Sequence, residues 1–241
     1  MQRVDAPEIL DSENLPAAEV RAALQTLNRI NRWFGGASTT QHMVQRVASA
    51  TGAKHFSLLE VAAGSGMVPQ TVREKLTRRG ITLDVTLLDR LLSHLPEKQE
   101  SHASPGIGNP APAGGNIVAD ALALPFGDAA FDLVSCNLFA HHLNPQQLAQ
   151  FVREGLRVSR RALLINDLVR HPLHLALVYA SYPIMGSKVA WLDGLTSVRR
   201  AYVPDEMRSM ISSALSVKLP VEISRHYLFR MGVIVFKGKT Q

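Results

Sequence analysis

The stretch "LLEVAAGSGMV", residues 58–68, constrains this chain most. Leu58, Leu59 and Val61 read as a buried strand with the acid Glu60 near its end. Ala62, Ala63, Gly64, Ser65 and Gly66 then offer almost no side chain. A chain becomes this bare where something must lie against its backbone. The helix expected from about Val68 to Arg79 would start at that spot, presenting unpaired backbone N–H groups.

The rest of the chain continues the pattern. Strands are expected at 56–61, 82–89, 116–121, 131–138 and 161–167, with a helix at 145–158. Such alternation marks repeated βα units on a parallel sheet. Before it, apolar residues at helical spacing predict helices from Pro16 to about 33 and over 38–50, while 1–15 read as a loose leader. "PEKQESHASPGIGNPAPAGG" (96–115) reads as an exposed loop. After Asp167 a helical run spans 172–187, a helix starts at Pro204, and two closing strands cover 217–225 and 226–238. Pro220 argues that the first of these is imperfect or lies at an edge.

Composition removes several classes. With 241 residues and 46% hydrophobic content the chain is long and apolar enough for one large folded unit. The net charge of +6 comes from scattered arginines, with no basic block threaded by aromatics, so no nucleic-acid partner is expected. The single Cys136 sits in an apolar run and reads as a core residue. The acidic N-terminus lacks the apolar segment of a secretory signal, and no stretch is long enough to span a membrane; a cytoplasmic location is expected.

Three ligands suit a bare turn at a strand tip. A phosphate-binding loop needs Gly-Lys-Ser/Thr, and "GSGMVP" has no lysine. A dinucleotide pyrophosphate would meet Glu60. A nucleoside carrying a charged amino-acid tail fits better, because its cationic groups and ribose call for acids. Asp89 ends the second strand at a spacing suited to a ribose diol, and Asp120 ends the third, where it could accept from adenine with Leu122 against the ring.

On these residues the chain resembles the class I S-adenosylmethionine-dependent methyltransferases. "LLEVAAGSGMV" is similar to their glycine motif, "VTLLD" to the second, and "VADALALPFGDAAFDLVSCNLFAHHL" to the third and fourth. The departure is Ala62 at the first glycine position, where a methyl fits only with a negative φ. The resemblance implies a Rossmann-like α/β fold: a mostly parallel seven-stranded sheet in the order 3-2-1-4-5-7-6, helices on both faces and an N-terminal helical cap. It divides the chain into a leader and cap helix (1–36) and a methyltransferase domain (37–241) with a helical lid insertion at 171–200. The implied cofactor is S-adenosyl-L-methionine, with S-adenosyl-L-homocysteine as product. Its contacts would be Glu60, Ala62, Gly64, Gly66, Asp89, Arg90, Asp120, Ala121, Leu122 and Asn137. Within the family the chain is most similar to bacterial small-molecule enzymes of the ubiquinone/menaquinone or polyketide-synthase-associated type, on "LNRINRWFGG" and "INDLVRHPL". That implies O-methylation of a phenolic or polyketide-like acceptor. Methylation of carbon or nitrogen on a quinone-like ring, or a catalytically silent protein of the same fold, are the alternatives.

Methyl transfer is an in-line displacement, and a phenol benefits from a base. His142 and His141 are the candidates, with Asp167 orienting a histidine or receiving the acceptor hydroxyl. Acceptor contacts are expected from Trp33, Phe34, Asn166, Arg170, His174, Tyr179 and Tyr182, which suit a hydrophobic aromatic small molecule. The same apolar helices could form a homodimer surface. No metal is expected, since adjacent histidines with Asp167 make a poor ligand set.

Overall fold

The structure is a computed structural model, which describes residues 1–11, 15–33, 35–96 and 115–238, with the side chains of 17, 28 and 31–33 outside the description. The expected loop at 96–115 therefore falls almost wholly outside the described residues, as do the side chains of Trp33 and Phe34.

Seven strands form one sheet in the order β3-β2-β1-β4-β5-β7-β6. They are β1 (His55–Val61), β2 (Thr82–Asp89), β3 (Asn116–Val118), β4 (Phe131–Asn137), β5 (Ser159–Leu168), β6 (Val221–His226) and β7 (Arg230–Phe236). The first five pair in parallel, and β7 runs antiparallel to both β5 and β6. The buried central strands read as near-continuous apolar runs, as a sheet covered on both faces requires. β6 starts just after Pro220 and lies at the sheet edge, where the missing N–H costs no ladder bond. β3 is shorter than expected: Asp120 and Ala121 belong to the turn after it.

The helices are α1 (Ala17–Trp33), α2 (Gly36–Thr51), α3 (Met67–Thr77), α4 (Pro145–Val158), α5 (Pro172–Ala180), α6 (Tyr182–Met185), α7 (Lys188–Arg200) and α8 (Pro204–Ala214). One core joins α4 and α8 to the sheet through Leu148, Phe151, Met207 and Ile211. The other joins α2 and α3 to the opposite face through Met43, Val47, Val72 and Leu76. Asn144 caps α4 by a reciprocal box: it accepts from Gln147 N–H at 2.9 Å, and the Gln147 side chain accepts from Asn144 N–H at 3.0 Å. The expected helix at 172–187 is divided, because Pro183 at the start of α6 has no N–H to continue α5.

The leader departs from expectation. Residues Ile9–Asp11 form a short 3-10 turn whose Ile9 and Leu10 N–H groups donate to the Asp193 carboxylate of α7 at 2.7 and 2.9 Å. Arg3 donates to the carbonyls of Arg200, His141 and Leu143 and lies over the Tyr202 ring. Residues 1–11 are thus fastened to the body by contacts whose partners lie far away in sequence.

Candidate active site

A cavity of about 640 Å³ opens at the carboxyl ends of β1, β2 and β4, where open α/β sheets place ligands. Glu60, Asp89 and Asp120 all line it, together with Ala62, Gly64, Arg90, Ala121, Leu122 and Asn137. On its far side stand Leu24, Leu27 and Ile30 of α1, Val178 of α5, Met185 of α6 and Ala190 of α7. Glu8, His141 and His142 also line this cavity.

The turn after β1 is built on left-handed backbone. Ala62, Gly64 and Gly66 have φ of 53°, 51° and 67°. The negative φ expected for Ala62 is therefore corrected: this alanine takes the glycine-like conformation, at a cost of roughly 1–2 kcal/mol. A Cβ on Gly64 would meet nothing within 4 Å, so the backbone there borders open space. A Cβ on Gly66 would come within 2.5 Å of Leu87, so this glycine serves the close approach of the turn to β2 and does not line the cavity.

Asp89 holds the turn in place. One carboxylate oxygen accepts from Gly64 N–H at 2.9 Å and the other from Leu91 N–H at 3.1 Å. Carboxylate oxygens have further lone pairs, which leaves acceptor capacity toward the cavity. Asp120, more exposed, accepts from Leu122 N–H at 2.8 Å and fixes the loop beside it. Glu60 is buried beneath the turn, accepting from the Ser135 hydroxyl and the Asn137 amide. Burial pushes its carboxyl up to about 7 despite those two hydrogen bonds.

Asn137 and Asn166 join the site to α2. Asn137 Oδ1 accepts from Thr40 Oγ1 at 2.8 Å and from Asn166 Nδ2 at 2.7 Å. Asn166 Nδ2 also reaches the Gly36 carbonyl at 2.7 Å. Asn166 is completely buried and is spent on fastening α2 to the tips of β4 and β5, so the acceptor contact expected of it is corrected. Arg170 is corrected likewise. Its guanidinium meets Glu206 at 2.6 Å and the Ala201 carbonyl at 2.6 Å, tying β5 to α8 away from the cavity.

The two histidines stand in different surroundings. His141 is buried, with Nδ1 2.6 Å from Asp167 Oδ1, and its N–H donates to the other oxygen of Asp167 at 2.9 Å. Its Nε2 lies 3.3 Å from Glu8 Oε1, an ion-pair distance without hydrogen-bond alignment. Burial opposes charge on this ring, but the Asp167 and Glu8 carboxylates prevail and raise its pKa to about 10. A ring clamped in this way does not serve as a proton acceptor. His142 is more open; its Nδ1 lies 3.2 Å from Asp11 Oδ2 and its Nε2 3.5 Å from Glu8 Oε2. Asp167, at the end of β5, does not line the cavity; it holds His141 and also accepts from Leu168 N–H at 2.7 Å.

His174 lines the cavity, stacked on Phe229. Tyr179 and Tyr182 do not line it. Both are about half exposed on the outer side of α5 and α6, Tyr179 accepting from Arg199 and Tyr182 packing on Trp191. The pocket role expected of these tyrosines is corrected: the cavity-facing side of α5 carries His174 and Val178. Glu8 and Asp11 were missed by the sequence reading, and the acid-apolar-apolar-acid run "EILD" was their only local sign.

The sheet order and the turn at the tip of β1 are those of the class I methyltransferase fold. Residues 59–162 match the family model described as a methyltransferase domain. The plantazolicin methyltransferase BpumL, solved with a monoazolic desmethylPZN analog and SAH, is 12% identical with a TM-score of 0.63, over 91% of this chain and 90% of that one. The plantazolicin methyltransferase BamL, solved with a triazolic analog and SAH, is 9% identical with a TM-score of 0.61, over 90% of each chain. A Methanococcus maripaludis protein assigned as an S-adenosyl-L-methionine-dependent methyltransferase is 12% identical with a TM-score of 0.55, over 95% and 98%. No curated protein sequence matches the chain.

The chain is accordingly a methyltransferase that uses S-adenosyl-L-methionine as methyl donor. The donor set suits that cofactor: carboxylates stand at three strand tips around a backbone turn bordering open space. Among the described residues no helix is long and apolar enough to cross a membrane.

Proposed function

We propose that this enzyme O-methylates a hydrophobic aromatic small molecule of phenolic or polyketide-like character. The observation that carries the reading is the cavity at the carboxyl ends of the strands. It is acidic beside the glycine turn, apolar between α1 and α5–α7, and has a polar cluster of Glu8, His141 and His142 on its wall. The bound cofactor supplies an activated methyl group on a sulfonium.

The chain's own work is placement and exclusion of water. Asp89 receives the ribose hydroxyls and Asp120 with Leu122 the adenine, while Glu60 and Asn137 face the amino-acid tail. Leu24, Leu27, Ile30, Val178 and Met185 hold the acceptor ring, and its hydroxyl is directed to the polar cluster. His141, fixed by Asp167, positions that cluster. Residues 171–200 act as a helical lid, and α1 closes the opposite side.

The test is formation of S-adenosyl-L-homocysteine by the purified enzyme with a panel of hydrophobic phenols, scored by mass spectrometry of the acceptor. A mass gain of one methyl group on phenols, absent from their deoxy counterparts, is expected. Transfer to amines or ring carbons with none to phenols would overturn the reading.

A further inference from the structure

Glu8 Oε1 and Oε2 lie 3.3 and 3.5 Å from the Nε2 atoms of His141 and His142. One ligand atom from each of the three residues lies within 4.8 Å of the other two. Neighbouring ligands on a tetrahedral ion, each about 2.0–2.1 Å from the metal, stand a little over 3 Å apart. The two glutamate–histidine distances are therefore already close to those between ligands of one ion.

The surroundings of the rings match as well. Metal-bound histidines characteristically place their other ring nitrogen against a carboxylate, which fixes the tautomer and strengthens the ligand. Here Asp167 stands 2.6 Å from His141 Nδ1, and Asp11 stands 3.2 Å from His142 Nδ1. Both Nε2 atoms are thereby turned toward Glu8, and an ion bound there would take the place of the proton that His141 Nε2 holds against the Glu8 carboxylate. The independent sign is His141 Nε2 itself, a nitrogen on a ring only 2% exposed whose neighbour Glu8 Oε1, at 3.3 Å, is not aligned for a hydrogen bond, while its residue lines the cavity. A buried polar atom left in this state calls for an explanation. Glu8, Asp11 and Asp167 surround the two rings with negative charge, and Arg200 stands 3.6 Å from Asp11. The sequence offers Asp167 as the distant carboxylate beside the two histidines, a poor ligand set; in the fold Asp167 backs His141, and Glu8 takes the third place.

We propose that Glu8, His141 and His142 form a two-histidine, one-carboxylate site for a divalent transition-metal ion of the zinc type, with its remaining coordination position open to the acceptor cavity. Three protein ligands and one open position are the arrangement of catalytic zinc sites. An acceptor hydroxyl taking the open position would release its proton to solvent and keep the electron pair on oxygen, which the ion stabilises. The catalytic use of the site rests on the reading under "Proposed function"; the binding of the ion does not.

The experiment is therefore run without donor or acceptor. Chelator-treated protein is titrated with Co²⁺, followed by the visible d–d bands of a tetrahedral site, and then with Zn²⁺ in competition, with bound metal counted by mass spectrometry. One ion per chain is expected. Glu8→Gln and His142→Ala should each abolish the tetrahedral spectrum. Asp167→Asn, which keeps a side-chain oxygen for the backbone N–H groups of His141 and Leu168 but removes the charge behind the His141 ring, should weaken binding about 10–100-fold. The exposed His55→Ala should change nothing. Binding of S-adenosyl-L-homocysteine by the variants, measured by calorimetry, shows that they are folded; His142→Ala removes the more open ring and serves if Glu8→Gln does not fold. Absence of a tetrahedral Co²⁺ spectrum in the unmodified protein, or equal binding by all variants, would overturn the site. A loaded site in an enzyme that methylates no phenol would leave the ion in place and refute only the acceptor chemistry.

Discussion

If Glu60 faces the cofactor's amino-acid tail, as proposed above, cofactor binding is a proton-linked event. Its carboxyl is buried, takes hydrogen bonds from Ser135 and Asn137, and has a pKa raised from 4.5 to about 7. The cofactor tail brings an ammonium, which only the ionised carboxylate attracts. With a pKa of about 7, about nine-tenths of the molecules carry the proton at pH 6 and about one-tenth at pH 8. If binding requires the ionised form, affinity should fall about 10-fold from pH 8 to pH 6, with close to one proton released per ligand at the lower pH. Calorimetry with S-adenosyl-L-homocysteine in buffers of different ionisation enthalpy reads that proton directly. Glu60→Gln should bind more weakly at pH 8 and lose most of the pH dependence. Without ligand, the raised pKa stabilises the fold below about pH 4.5, and that contribution, about 3 kcal/mol, is lost as pH rises through 7. Equal affinity at pH 6 and pH 8 with no proton release would refute the reasoning and remove Glu60 from the tail's surroundings.

Three further outcomes are expected. Asp89→Ala should weaken cofactor binding by about 10-fold or more, because it removes a buried acceptor and frees the Gly64 N–H; unchanged calorimetric affinity would contradict the assignment. Ala62→Gly should raise stability by about 0.5–1 kcal/mol, the relief of left-handed strain less the added chain entropy; a lower Tm would count against that strain. Arg170→Met should cost about 2 kcal/mol by leaving the Ala201 carbonyl and Glu206 without their partner. Denaturant unfolding reads that loss, and the acceptor KM should stay as it was.

The legible parts of this molecule are those where local chemistry and topology coincide. The acids at the ends of β1 and β2, and the one two residues beyond β3, sit at positions a parallel sheet dictates, so their convergence on one cavity followed from spacing. The edge position of β6 followed from Pro220. What escaped depended on contacts distant in sequence. Asn166 and Arg170 look like free polar groups until α2 and α8 supply their partners. Periodicity could not tell which side of the uniformly apolar α5 faces inward, so Tyr179 and Tyr182 were placed wrongly. The φ of Ala62 ran against steric preference, and only the packed turn reveals it. Glu8 carried no periodic signal at all, because its partners Ser197 and His141 lie 189 and 133 positions further on.

That last separation has a bearing on assembly. Glu8 is synthesised well before Asp193, which anchors the turn beside it and lies 184 positions after Ile9. Contacts so remote in sequence are slow to close. The turn at Ile9–Asp11 is thus seated late, and a nascent polypeptide would hold an unfinished cavity wall until α7 has packed.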